Sequence, residues 1–451
     1  MEHHVTLEEM LAARERRVLR QQELTARYGL PMICFTMNIA GPVKNSPLIR
    51  KGFDLGKQYL KEQLDSLGIV PVYFTEFHEP AGNEAYYVID ADVLFIKKIT
   101  CAVEDGSDLG RLLDMDVLNS AGEKAERSEL GLSPRPCLIC RGPGRDCARS
   151  RAHTVEQLQA KTGEILTRAA EDEDARLAAR LACRALLYEA CTTPKPGLVD
   201  REGNGSHRDM DIFTFLDSAS ALWPYFETCV RMGRQTADQP ASHTFDRIRF
   251  AGRRAEAAMF SATGGVNTHK GAVFSMGILC GALGRLPREQ WKHTDTVLDA
   301  CAAMTRGLVA ADFAGLTEEN AVTAGQKLYL HHGIAGVRGQ MEEGLPAVRD
   351  AGLPALKEGI ARGLDLNDAG CGSLLALMAA AVDTNLIARS SLAVQQETSA
   401  GIRELLERDP YPDREVLRRL DREFVEKNLS PGGSADLLAV CYLLYFLENE
   451  V

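Results

Sequence analysis

The stretch TTPKPGLVDREGNGSHRDMD, residues 192–211, decides how the larger part of this chain is read. Before it, in residues 176–191, apolar side chains at positions 177, 181, 185 and 188 recur at helical spacing. The stretch itself holds little that a helix uses for packing and is crowded with Lys, His, Asp, Asn and Gly. GGVNTHKGAVFSMG, residues 264–277, has the same character. Glycine lets a backbone approach a ligand closely. Lys and His bring positive charge for phosphates, and paired Asp residues offer hard oxygen ligands for Mg2+. Both stretches read as loops that hold a polyphosphate and a metal between helices.

Working outward, further Ala/Leu-rich segments run through 252–262, 271–284, 296–313, 371–388 and 435–447. The last is expected to start at Ser434 as N-cap, with Asp436 favouring the first turn. Strand-like runs almost vanish after residue 155, so this part is expected to be all-α. Before it the character changes. Residues 31–39, 70–77 and 85–96 are rich in β-branched and aromatic side chains, and helical stretches at 7–27 and 52–67 intervene. An α/β or α+β domain over 1–160 is expected, followed by an all-α domain over 170–451. EDEDAR, at 171–176, reads as a solvated charge run at the boundary.

The 451-residue length is too great for one ordinary core. A net charge of −11 argues against a general nucleic-acid binder, which would present a basic face. The polar, acidic start carries no secretion signal. The longest apolar run, 437–447, is far short of the ~20 residues that span a bilayer. A cytoplasmic protein without membrane or nucleic-acid partners is expected. Its twelve cysteines then read as reduced thiols or metal ligands.

Within 192–211, Pro194 and Pro196 hold Lys195 on a short tether. Lys195 and Arg201 suit phosphates as a point charge and a fork. His207, Asp209 and Asp211 alternate, which in an extended loop places them on one side. In VNTHKG, Asn267, His269 and Lys270 precede an apolar helix, whose N-terminus offers N–H groups to an anion; capping by Asn267 or Thr268 is the plainer explanation. Residues 323–339, with Arg338, and 381–389, with Asp383 and Asn385, are weaker clusters. Asp383 lies in an apolar helical context, where a charge is costly unless paired or metal-bound.

PKPGLVDR, the H-x-DMD run, NTHKG, the 323–339 cluster, DTN and SPGGSADLLA together resemble triphosphoribosyl-dephospho-CoA synthase over roughly 170–451. The resemblance implies an all-α enzyme that joins ATP to 3'-dephospho-CoA. The 2'-hydroxyl attacks C1' of the ATP ribose, adenine leaves, and the triphosphate stays on the product. Lys195, Arg201 and Lys270, with Asn267, Arg338 and Asn385, become candidate phosphate or substrate ligands. Asp209, Asp211 and Asp383 become candidate Mg2+ ligands or bases, and His207 and His269 candidate proton carriers. Ser390 and Ser391 depart from the small, glycine-like residues expected there.

Two features stand out before residue 155. One is residues 37–56, a strand ending in a Gly-Pro turn followed by Lys44, Arg50 and Lys51. The other is residues 108–122, where Asp114 and Asp116 follow Gly110 and Arg111. On a strand, i and i+2 share a face, so this pair could hold Mg2+ over a triphosphate; an exposed strand face explains it equally well. In residues 134–153, Cys137 and Cys140 form C-x2-C, followed by Cys147 and His153. That set suits a small zinc knuckle, with packed reduced thiols as the alternative. Five Arg between 135 and 151 face only Asp146, a patch for a polyphosphate or an acidic protein.

GPVK, LGR-x-x-D-x-DV, PR-x-CL-x-C and C-x-RS-x-x-H resemble citrate lyase holo-acyl-carrier-protein synthase over roughly 10–155. The resemblance implies nucleotidyltransferase-type chemistry. A serine of the apo acyl carrier (gamma) subunit of citrate lyase attacks the α-phosphorus, and pyrophosphate leaves. Asp114 and Asp116 would neutralise it through Mg2+, with Arg111 and Lys44 on phosphate. The chain then reads as a bifunctional enzyme that makes and attaches this prosthetic group. The alternatives are the carrier subunit of malonate decarboxylase as target, or a non-catalytic nucleotide sensor or scaffold.

Overall fold

The computed structural model describes residues 3–451. The chain divides into two compact units, Met1–Asp172 and Glu173–Val451. The division falls inside a helix, Val155–Cys191. The charge run at 171–176 therefore lies within a helix and is only partly solvated. Asp174 is buried and pairs with Arg288 at 3.3 Å and Arg234 at 3.8 Å.

The first unit combines helices with one antiparallel sheet. Strands β1 (Met32–Met37), β2 (Tyr73–Glu79), β3 (Gly82–Val88) and β4 (Leu113–Leu118) lie in the order β2-β3-β1-β4. Every neighbouring pair is antiparallel, which places the unit on the α+β side of the expectation. The predicted strand at 85–96 is too long. Its end forms the helix Val93–Asp105, which Asp92 starts by accepting from the Phe95 amide. Alternation sorts the two faces. Ile33, Phe35, Tyr87, Leu113, Met115 and Val117 join the core with the helices Pro47–Ser66 and Val93–Asp105. Met32, Cys34, Tyr86 and Val88 face Leu24 of the helix Leu7–Tyr28. Cα pairing sets Asp116 opposite Cys34 and Asp114 opposite Thr36, so both aspartates belong to this second face.

The second unit is mostly helical and carries no strand among the described residues. Two helices, Lys270–Arg285 and Gly432–Glu450, are buried along most of their length. Glycine permits one close crossing: a Cβ on Gly284 would stand 2.0 Å from the carbonyl oxygen of Val230. Two predicted helices are each split. Residues 296–313 break at Gly307, whose left-handed backbone (φ 79°) sends its N–H to the Glu342 carboxylate at 2.6 Å. Residues 371–388 break at Ala381–Asp383, between Leu366–Ala380 and Thr384–Arg389. The last helix begins at Gly432 rather than Ser434, because the Ser434 amide and hydroxyl already have a partner in Asp383. No described helix is long and apolar enough to cross a membrane.

Candidate active sites

In the second unit, polar side chains from distant parts of the sequence gather at the start of the helix Gly432–Glu450. Asp383 is buried and ties three backbone segments together. Its Oδ1 accepts from the amides of Asn385 at 3.0 Å, Leu386 at 3.1 Å and Gly433 at 3.3 Å. Its Oδ2 accepts from the Ser434 amide at 2.7 Å and the Ser434 hydroxyl at 2.9 Å. Burial pushes its pKa up, while these donors hold it down. With both oxygens engaged, Asp383 is a cap shared by two helix N-termini and not an open metal ligand.

Asp436 does the same for a third helix. A Cβ on Gly271 would meet Asp436 Oδ2 at 1.9 Å, so only glycine lets the two approach. The carboxylate accepts from the Ala272 amide. The helix start in NTHKG, read above as open to an anion, is thus already covered by a carboxylate. Asp436 keeps partial contact with solvent. Surrounding protein, then the charges of Glu189 and Asp383, raise its pKa well above the usual range.

Lys195 is only 1 % exposed. Its ammonium donates to the main-chain oxygen of Glu189 at 2.7 Å and pairs with the Glu189 carboxylate, which is also buried. It sits inside the wall of the site, where the sequence reading had put it on a phosphate. His269 is buried as well. Thr268 donates to Ser218 Oγ at 2.7 Å, so the Ser218 hydroxyl donates to His269 Nδ1 at 2.7 Å. That fixes the proton on Nε2, which is buried without a partner. Burial, then the Lys195 charge, lowers the pKa of His269 to about 3.

His207 lies nearer the surface. Arg389 donates to its Nδ1 at 3.2 Å, so its Nε2–H donates to Ser430 Oγ at 2.9 Å. Burial, then Arg389, lowers its pKa. Asp209 is exposed, 4.0 Å from His207 Nδ1. Asp211 turns away and caps the helix Ile212–Ala221, accepting from the Thr214 amide at 2.9 Å. Asp209, Asp211 and Asp383 therefore do not form one metal-binding group. Arg201 is exposed and braced on the Cys191 carbonyl at 2.6 Å and on Asn367 at 2.8 Å. Lys270 is exposed, 3.3 Å from Glu256, and Asn267 and Asn385 are exposed too. Arg338 pairs with Asp312 at 2.7 Å. Glu189 and Asp436, which the structure brings into this cluster, were not among the residues expected from sequence. The only sequence signal was a carboxylate within an apolar helical run in each case.

In the first unit, Asp114 and Asp116 share one face of β4, as their spacing predicts. Lys124 pairs with Asp116 at 2.6 Å. Asp114 is exposed, yet the protein around its carboxylate, then the Asp116 charge, raises its pKa. Arg17 belongs to the same face and binds Glu84 at 2.8 Å. Two carboxylates with one direct counter-charge leave room for a divalent cation. Lys44 donates to the Ile39 carbonyl at 2.6 Å.

The side chains of Cys137, Cys140, Cys147 and His153 each offer a ligand atom, and these four atoms all lie within 4.8 Å of one another. Among the described residues this is the one group of three or more such side chains that could hold a metal. Cys140 and Cys147 Sγ are 3.4 Å apart, against about 3.5–3.8 Å between ligand atoms around a tetrahedral zinc. His153 Nε2 is buried with no partner. Burial raises the Cys137 pKa, but the amides of Cys140 and Ile139 and the neighbouring thiols outweigh it and bring the group to about 6. The set fits a thiolate-binding metal.

A sequence model of the family described as CitG, ATP:dephospho-CoA triphosphoribosyl transferase, matches residues 175–451. One described as CitX, apo-citrate lyase phosphoribosyl-dephospho-CoA transferase, matches residues 5–169. "Protein CitXG" of Haemophilus influenzae is 36 % identical over 458 residues, covering 98 % of this chain and 96 % of the relative. The chain belongs to the CitXG family. A second "Protein CitXG", from Leuconostoc mesenteroides subsp. cremoris, is 32 % identical over 463 residues, 99 % of this chain and 98 % of the relative. The "2-(5''-triphosphoribosyl)-3'-dephosphocoenzyme-A synthase" of Pectobacterium atrosepticum is 43 % identical over 270 residues, 59 % of this chain and 87 % of that protein. As a CitXG protein, the chain is a bifunctional transferase. It makes triphosphoribosyl-dephospho-CoA from ATP and dephospho-CoA and transfers the prosthetic group to the apo-citrate lyase carrier.

Proposed function

We propose that the two reactions are divided between the two units, with synthesis in the second and transfer in the first. The observation that carries the synthesis assignment is the meeting of Glu189, Lys195, His207, His269, Asp383 and Asp436 around one helix start. Asp436, partly open to solvent and backed by buried groups, takes the proton of the attacking 2'-hydroxyl. A raised pKa brings a carboxylate closer to the proton affinity such a base needs. The exposed cations Arg201 and Lys270, at the edges of the two motif loops, hold the triphosphate that arrives with Mg2+. Lys195 and Asp383 keep the loops in place from inside.

For transfer, Asp114 and Asp116 are the residues that would hold Mg2+, which would supply positive charge against the leaving pyrophosphate. Lys124 and Arg17 add fixed positive charge on the same face. The attacking group is a serine hydroxyl of the apo acyl carrier (gamma) subunit, and the product is a phosphodiester. This chemistry gives the first unit a nucleotidyltransferase-like character. Cys137, Cys140, Cys147 and His153 hold zinc in a closed, structural site.

The test is mass spectrometry of apo carrier after incubation with the full chain, ATP, Mg2+ and dephospho-CoA, alongside measured adenine release. The expected carrier gains one phosphoribosyl-dephospho-CoA group. Asp436→Asn is expected to stop adenine release while still transferring supplied triphosphoribosyl-dephospho-CoA. Asp114→Asn is expected to do the reverse. Loss of both activities in either variant would overturn the division.

A further inference from the structure

We infer that the Cys137–Cys140–Cys147–His153 knuckle is the positioning element of the transfer site, fixing strand β4 through Arg111 and Arg135. The inference rests on the zinc reading above. β4 is an edge strand: β1 lies on one side and no strand on the other. An edge leaves backbone donors and acceptors without a ladder partner. Toward the end of β4 the Ala125 amide donates to the Val117 carbonyl at 2.8 Å; at Leu113 and Met115, on either side of Asp114, side chains take them. The Met115 amide donates to Glu104 at 2.8 Å, Lys97 reaches the Met115 carbonyl at 3.3 Å, and Arg135 Nη1 donates to the Leu113 carbonyl at 2.6 Å.

Arg135 lies two residues before Cys137, and its Nη2 also donates to the Gly110 carbonyl at 2.7 Å. Arg111 reaches back the other way. Its Nη2 donates to the carbonyl of Cys137 at 2.5 Å and to that of Pro136 at 3.4 Å. Two guanidinium groups thus stitch the knuckle to the entrance of the strand, and Leu113, held by one of them, directly precedes Asp114. Gly110 packs directly on the end of the helix Val93–Asp105: a Cβ there would stand 2.5 Å from the Val103 carbonyl oxygen.

The knuckle has almost no core with which to hold its own shape. Across residues 134–153 only Cys137 is buried. Within the loop, the Cys137 amide donates to the Gly142 carbonyl at 2.7 Å, and the Arg141 amide to the Cys137 carbonyl at 3.2 Å. A segment with so little buried surface depends on a metal for a fixed conformation. Metal binding at His153 and the three thiols would thereby set the carbonyls that Arg111 grips, and through them the placement of the aspartate pair. Arg111, expected from sequence to bind phosphate, is on this account a positioning residue.

The test uses the full chain. Zinc content is measured, and Co2+ is substituted to show thiolate charge-transfer bands. The metal is then stripped with a chelator and restored with Zn2+. Transfer from supplied triphosphoribosyl-dephospho-CoA to apo carrier is followed beside adenine release. The expected result is one zinc per chain, a loss of transfer of at least about tenfold on stripping, recovery on reloading, and adenine release unchanged throughout. Arg111→Ala is expected to keep its zinc and the cobalt bands. It should lower kcat for transfer and raise the Mg2+ half-saturation, with Arg111→Lys restoring part of both. A purified chain without zinc and without cobalt bands would overturn the metal reading and the inference with it. Bound zinc whose removal leaves transfer at full rate would overturn the positioning role alone.

Discussion

Lys195 and Glu189 form an ion pair sealed inside the second unit, the ammonium bonded to both the carboxylate and the main-chain oxygen of the same glutamate. A buried pair is expensive to break because the remaining charge is left without compensation. Lys195→Met alone should therefore destabilise the unit by about 3–5 kcal/mol. The double variant Glu189→Met, Lys195→Met should recover much of that loss. Chemical denaturation of the two proteins checks this. A Lys195→Met chain that keeps its stability and only raises the KM for ATP would instead restore the phosphate role.

Asp383 makes a related prediction with a different readout. Hydrogen bonds to a buried charge contribute about 1.5–3 kcal/mol each, and Asp383 accepts five. Asp383→Asn removes acceptors at the start of two helices and should cost at least about 2 kcal/mol. Adenine release by the fraction still folded should show an unchanged Mg2+ half-saturation. A large rise in that half-saturation without loss of stability would return Asp383 to the metal.

These two residues mark what the sequence could and could not tell. The helix Leu7–Tyr28 was expected at 7–27, and in the structure Thr6 and Glu9 close its start as a capping box while Gly29 ends it in the left-handed region. The D-x-D geometry was legible because strand periodicity alone sets it, and the metal cluster because its four residues are close in sequence. The interior of the second site was not. A lysine beside two prolines looks the same whether it faces solvent or a glutamate six residues back. The break before Asp383 depends on Gly433 and Ser434, fifty residues away, and Asp436 reads as a first-turn residue until Gly271 is seen against it.

His269 should make the second unit sensitive to acid. Its folded pKa, about 3, lies below the value of about 6.5 for a free imidazole. The unfolded chain therefore takes up a proton that the folded chain refuses. The stability that neutral His269 preserves is complete above about pH 6.5 and falls away as the pH drops toward about 3. Replacing it should flatten this slope. His269→Gln is expected to be less stable at pH 8 but to lose less stability between pH 6.5 and 4.5, read from denaturant midpoints at each pH.

Asp114 and Asp116 predict a pH shift in the other reaction. Protein around the Asp114 carboxylate, then the Asp116 charge, raises the pKa of Asp114, so the acid limb of the transfer reaction should lie above the ordinary aspartate range. The group must be ionised to hold a cation, and transfer should fall as the pH drops through that limb. Asp116→Asn removes the neighbouring negative charge and should move the limb to lower pH. It should also lower the rate at saturating Mg2+ by about 10²-fold or more, because one of the two carboxylates that bind charge at the transition state is gone. Lys124→Met should move the limb the opposite way, since Lys124 lowers the Asp114 pKa. Carrier labelling at a series of pH values, with adenine release from the same samples as the control, separates these effects. Unshifted limbs in both variants would show that a group other than Asp114 limits transfer in acid.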